Sequence, residues 1–118
     1  MSTPQAGPSP LASNRRLSAR TACRSPASVT LPSGAVLDVQ MWDLGSDGAS
    51  MTSPRPITQG SVVELRFELP VVGGPARIVA KARVVYSSYM APANLRVGVM
   101  FTELDAASAT AIDSFGAP

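Results

Sequence analysis

A chain of 118 residues can bury one modest core and not two, and with 45% apolar against 15% charged residues it is too hydrophobic to be disordered throughout. The absence of histidine and the single cysteine, Cys23, exclude disulfide frameworks, His/Cys zinc sites and histidine-based nucleophilic triads together. The net charge of +2 conceals an asymmetry: Arg15, Arg16, Arg20 and Arg24 all precede the first acid, Asp38, and the remainder carries six basic against eight acidic residues. Positive charge is therefore concentrated where it can meet a compact anion.

Residues 1–13 are rich in Pro, Ser and Ala without periodicity and read as a flexible leader. They lack the apolar stretch of a signal peptide, and no segment of the chain reaches the length of a membrane span, so a cytoplasmic protein without membrane insertion is expected. Cys23 stands beside Arg24 in a basic stretch, but with no base partner in sight it is expected to be an inert thiol.

From Ala27 onward the chain reads as short strands punctuated by Gly and Pro. The first spans Ala27 to Leu31 and ends at Pro32, Ser33 and Gly34. The second runs from Val36 to Trp42, with Leu37, Val39 and Met41 alternating against Asp38 and Gln40. A third, Ala49 to Thr52, follows the break at Gly45 and Gly48. The fourth has the clearest alternation, Val63, Leu65, Phe67 and Leu69 against Glu64, Arg66 and Glu68. After a Gly73-Gly74-Pro75 turn, Ala76 to Ser87 forms the fifth, with Ile78, Ala80, Ala82, Val84 and Tyr86 on one face. Leu95 to Phe101 forms the sixth. Asp105 is placed to cap a short terminal helix in which Ala109, Ile112 and Phe115 recur at helical spacing. The whole predicts an all-β domain over residues 14–118: a six-stranded antiparallel β-barrel with a flexible N-terminal arm and a short C-terminal helix.

Two patches carry chemistry. Asn14 to Arg20 holds Arg15, Arg16 and Arg20, which by itself is either a solvated basic stretch or an anion-binding arm. Asp43-Leu44-Gly45-Ser46-Asp47-Gly48 is by itself either an ordinary turn or a site where the backbone comes close to a ligand. Together, Arg16 and Arg20 as RxxxR, preceded by Arg15, and Asp43 to Gly48 as a variant of [D/N]xSxxG resemble the PilZ domain family. Gly60, Ala82 to Tyr86 and Val97 to Phe101 resemble its later strands. The one departure is Gly45, which stands where the family motif has serine, with Ser46 one position late.

The resemblance implies a receptor for the second messenger cyclic di-GMP rather than an enzyme, with that ligand and no other cofactor. Arginine suits such a ligand because it can bond phosphate, read guanine O6 and N7, and stack on a base. Asp43 can accept from a guanine N–H edge, and Gly48 leaves room for the backbone to approach. The implied ligand-binding set is Arg15, Arg16, Arg20, Asp43, Gly45, Ser46, Gly48 and Tyr86. An arginine arm closing over the ligand would make binding a conformational switch read by an unidentified downstream protein.

Tyr86 is at a position where the family frequently has a stacking aromatic, although its periodicity groups it with the core face. Trp42 is either a surface stacking residue or a lid on the barrel end, and packing is the favoured expectation. Arg77, Lys81 and Arg83 form a solvated outer face or an extension of the anion site. A PilZ-like interaction module that has lost the ligand is the alternative function, because of Gly45. A nucleic acid polymer is not an expected partner, since aromatics make up only 5% of residues and form no stacking series.

Overall fold

The structure is a computed structural model and describes residues 20–116. The elements in chain order are β1 (Thr21–Ala22), β2 (Pro26–Thr30), β3 (Val36–Leu44), β4 (Gly48–Ser53), β5 (Val62–Val71), β6 (Gly74–Ala91), β7 (Asn94–Leu104) and α1 (Ala106–Gly116). Strands pair antiparallel in the order β3-β2-β5-β6-β7-β4, and β4 pairs back onto β3 to close a six-stranded barrel. The two-residue β1, which the sequence pattern had not revealed, lies against the end of β3, with Thr21 opposite Leu44 and Ala22 opposite Asp43. Among the described residues no helix is long and apolar enough to cross a membrane.

The alternation read on β5 is the alternation observed: Val63, Leu65, Phe67 and Leu69 are all at most 4% exposed, and Glu64 and Arg66 pair with each other outside. Register then fixes the barrel interior. Leu65 lies between Val29 of β2 and Ala80 of β6, and Met51 lies between Met41 of β3 and Val97 of β7. Each such fully enclosed side chain contributes roughly 1.5–3 kcal/mol of burial free energy. The charged residues on intervening positions keep the outside wet.

Asp105 caps α1 as expected. Its Oδ1 accepts from the Ser108 backbone N–H at 2.7 Å, and Ser108, Ala111 and Ile112 are buried as the helix packs on β5 and β6. That backbone bond, helped by the Ser108 hydroxyl, holds the Asp105 carboxyl below its ordinary value.

Several register breaks interrupt the simple alternation, and two of them shape the outer face. Pairing skips a residue between Met41 and Asp43 on β3, and again between Val84 and Tyr86 on β6. Each of these bulges inserts a residue that the partner strand does not match, so that residue and the one after it both face outward. The expectation that Tyr86 follows Ile78 and Val84 into the core is therefore corrected. Val84 is 1% exposed, whereas Val85 and Tyr86 are 38% and 41% exposed.

Candidate ligand-binding face

The bulge on β3 is what assembles this face. With Met41 and Leu44 both fully buried, a regular strand has room for one outward residue between them, and the bulge supplies two, Trp42 and Asp43. Asp43 opposes Ser50 of β4, Ser50 opposes Gly98 of β7, and Gly98 opposes Tyr86 of β6. Cross-strand partners point to the same side of a sheet, so these four residues form one row across the outside of the barrel. The Tyr86 ring occupies the space over Gly98, where a Cβ would lie 2.1 Å from Tyr86 Cε2.

The chain before β2 is hydrogen-bonded along the free edge of β3. The Cys23 N–H donates to the Trp42 carbonyl at 3.1 Å and the Met41 N–H to the Ser25 carbonyl at 2.9 Å. The Gln40 side-chain amide donates to the Arg24 carbonyl as well. This pairing carries Arg20 to the face, where its Nη1 lies 3.5 Å from Asp43 Oδ1, both side chains partly exposed. It also buries Cys23, which packs within the core as a small apolar group.

Trp42 sits between two arginines that reach it from opposite edges of β3. Arg24 comes from the segment before β2, with its Cζ 3.9 Å from the ring centroid, and its Nη1 donates to the Trp42 carbonyl. Arg96 comes from β7 across β4, with its Cζ 4.3 Å from the same centroid. Both lie within cation–π range.

Below this row is the Asp43-Gly48 turn, closed by a bond from the Gly45 N–H to the Gly48 carbonyl at 2.8 Å. The Phe101 N–H donates to the Asp47 carbonyl at 2.9 Å and ties the turn to β7. Gly48 is buried, and a Cβ on it would stand 2.2 Å from the Val99 carbonyl oxygen. The close approach this glycine permits in the structure is that of β7.

The family model for the PilZ domain matches residues 14–115. The chain belongs to the PilZ domain family. Among solved structures, the fold is similar to that of the Bacillus subtilis inhibitor of motility MotI/DgrA, with a TM-score of 0.71 at 15% identity over 83% of this chain and 47% of that one. The PilZ domain of CeSA from a cellulose-synthesizing bacterium gives 0.59 at 19% identity, over 84% of this chain and 97% of that domain. The Borreliella burgdorferi PlzA protein, solved in complex with c-di-GMP, gives 0.63 at 16% identity over 89% of this chain and 42% of that one. The chain thus spans about half of MotI/DgrA and PlzA. No curated protein matches it in sequence.

In this PilZ domain Arg15 and Arg16 lie outside the described residues. Arg20 and Asp43 are brought together, and Gly45, Ser46 and Gly48 form the turn beside them. Tyr86 stands at the far end of the Asp43 row, with two strands between them. Of the outer basic residues on β6, Arg77 lies 3.8 Å from Glu68 and Lys81 lies 3.7 Å from Glu103, while Arg83 donates to the Gly60 carbonyl. Arg77 and Lys81 thus behave as a paired, solvated face. Sequence reasoning missed Arg24, Ser50 and Arg96 and took Trp42 for a packing residue. The alternation of the Leu95 to Phe101 strand already placed Arg96 outside, but nothing local linked it to Trp42.

Proposed function

We propose that this PilZ domain is a non-enzymatic receptor for cyclic di-GMP, acting in the cytoplasm on a downstream protein. The observation that carries the reading is the meeting of Arg20 with Asp43 on the outer face, brought about by the pairing of residues 21–25 along β3. It joins the two motifs that are far apart in sequence into one polar site. The family match over residues 14–115 and the c-di-GMP complex of the similarly folded PlzA support the choice of ligand.

The chemistry follows from the groups present. A loose, partly exposed ion pair is worth roughly 0–1 kcal/mol, so a ligand can separate Arg20 from Asp43 at small cost. The guanidinium then bonds phosphate or the guanine Hoogsteen edge, and Asp43 accepts from the guanine N–H edge. Arg15 and Arg16 precede this point and supply further positive charge to the same anion. Because Arg20 adjoins β1, ligand held there also pins the segment that leads into the barrel, which is a change a partner protein can read.

A second reading is an interaction module without ligand, favoured by Gly45 in place of the motif serine. Calorimetric titration of the folded chain with cyclic di-GMP decides between them. Saturable heat that excess GTP does not suppress supports the receptor, because a linear mononucleotide does not satisfy a site for a compact cyclic dinucleotide. No heat at high protein concentration leaves the interaction module.

A further inference from the structure

Trp42 is the only tryptophan in the chain, and it is 38% exposed on the face that carries Arg20 and Asp43. An indole on a barrel exterior has no packing reason to be covered by two guanidiniums. Both arginines stack on it, with Cζ to centroid distances of 3.9 and 4.3 Å. The arrangement also leaves bonding capacity unused. Arg96 Nε is buried without a hydrogen-bond partner, and so is the Oγ of Ser50, the residue opposite Asp43. Buried donors of this kind mark an arrangement that another partner can improve.

The two arginines differ in how they are held. Arg96 is half-buried on a central strand, whereas Arg24 is exposed and sits in an irregular segment between β1 and β2. Arg24 is therefore the side of the stack that opens. A nucleobase offers a larger planar face than a guanidinium and stacks on an aromatic regardless of base identity, while an exposed cation–π contact is weak. Once displaced, the Arg24 guanidinium stays close, since its backbone is fixed by the Gln40 amide and the neighbouring Cys23 bond. It is then free to bond a phosphate of the same ligand.

We propose that Trp42 is a base-stacking platform for a purine of the bound cyclic dinucleotide, capped by Arg24 in the free protein and backed by Arg96. This rests on the receptor reading and adds to it a subsite outside the RxxxR and DxGxxG elements. Trp42 thereby becomes both an affinity determinant and a reporter of binding.

The test combines calorimetry with the emission of this single tryptophan in the full chain, titrated with cyclic di-GMP. The expected result is saturable quenching of indole emission with the same midpoint as the heat. Trp42→Ala should weaken binding roughly ten- to hundredfold, and Trp42→Phe should recover most of that loss. Unchanged emission during a titration that releases binding heat overturns the proposal and leaves the receptor reading intact. So does parental affinity in Trp42→Ala, or Trp42→Phe binding as weakly as an alanine variant shown to be folded. Absence of heat with the parent chain overturns the receptor reading and this inference together.

Discussion

Gly48→Ala tests whether the last glycine of the turn motif serves the barrel. A Cβ at this position would lie 2.2 Å from the Val99 carbonyl oxygen and 3.2 Å from Met100 Cα, whereas close carbon–oxygen contacts between strands are ordinarily about 3.3 Å or more. The start of β4 must therefore move away from β7 by about 1 Å, and the obstacle is backbone, so no side-chain rotation relieves it. The displaced stretch contains the Gly48–Met100 and Ala49–Val99 pairs, and weakening their ladder bonds costs about 0.5–1.5 kcal/mol each. The same range, about 1–3 kcal/mol, is typical of overpacking a tight site. For a domain of this size a loss of about 2 kcal/mol lowers Tm by roughly 8–16 °C. Circular dichroism during thermal and urea unfolding reads it directly, with an unchanged m-value showing that the same fold is being unfolded. A loss below about 0.5 kcal/mol would refute the reasoning, and unchanged stability with lost ligand affinity would show that the glycine serves the ligand instead.

Arg20→Ala should leave Tm within a few degrees of the parent, since its ion pair with Asp43 is loose and exposed, while calorimetric affinity falls by roughly 2–5 kcal/mol. Unfolding with little loss of affinity per folded molecule would make Arg20 structural. Gly98→Ala should displace the exposed Tyr86 ring, whose Cε2 would be 2.1 Å from the new Cβ, and change the near-ultraviolet tyrosine signal with a stability change within about 1 kcal/mol; an unaltered signal would place the ring elsewhere. The lowered pKa of Asp105 makes its capping contribution fully present above the ordinary carboxylate value and lost as pH falls through the lowered one. The gap in Tm between the parent and Asp105→Asn should accordingly narrow on acidification, and a constant gap would deny the ionised cap any role.

The barrel was legible wherever hydrophobic alternation ran without interruption. Val63 to Leu69 and Ile78 to Val84 name their inward residues correctly because each strand buries one face and each interior position admits only an apolar side chain. The meeting of Arg20 with Asp43 was foreshadowed only by motif resemblance, since the two-residue β1 that brings Arg20 there has no signal in the sequence pattern. The two bulges were not legible. Nothing in Met41-Trp42-Asp43 or Val84-Val85-Tyr86 declares that a residue goes unmatched; the partner strand decides it through Ser50 and Gly98. Strict counting therefore sent Tyr86 inward and gave no reason for Trp42 and Asp43 to share a side. The arginine stack was hidden for a related reason. Arg24, Trp42 and Arg96 are brought together only by barrel closure through β4, a long-range consequence of the whole topology.

The bulges also bear on how such a surface can change over generations. Inserting or deleting one residue in a barrel strand normally turns every following side chain to the wrong side, so indels are confined to loops. Trp42 and Val85 are residues the neighbouring ladder does not match, with Met41 and Leu44 keeping their interior places on either side of the first. Removing Trp42 would leave Met41, Asp43 and Leu44 in regular in-out-in order, opposite the same residues of β4. The barrel thus contains positions where a whole outward-facing residue, at one of them a tryptophan, can be gained or lost in a single genetic step, and its exterior can diversify by length as well as by substitution while the interior stays constant.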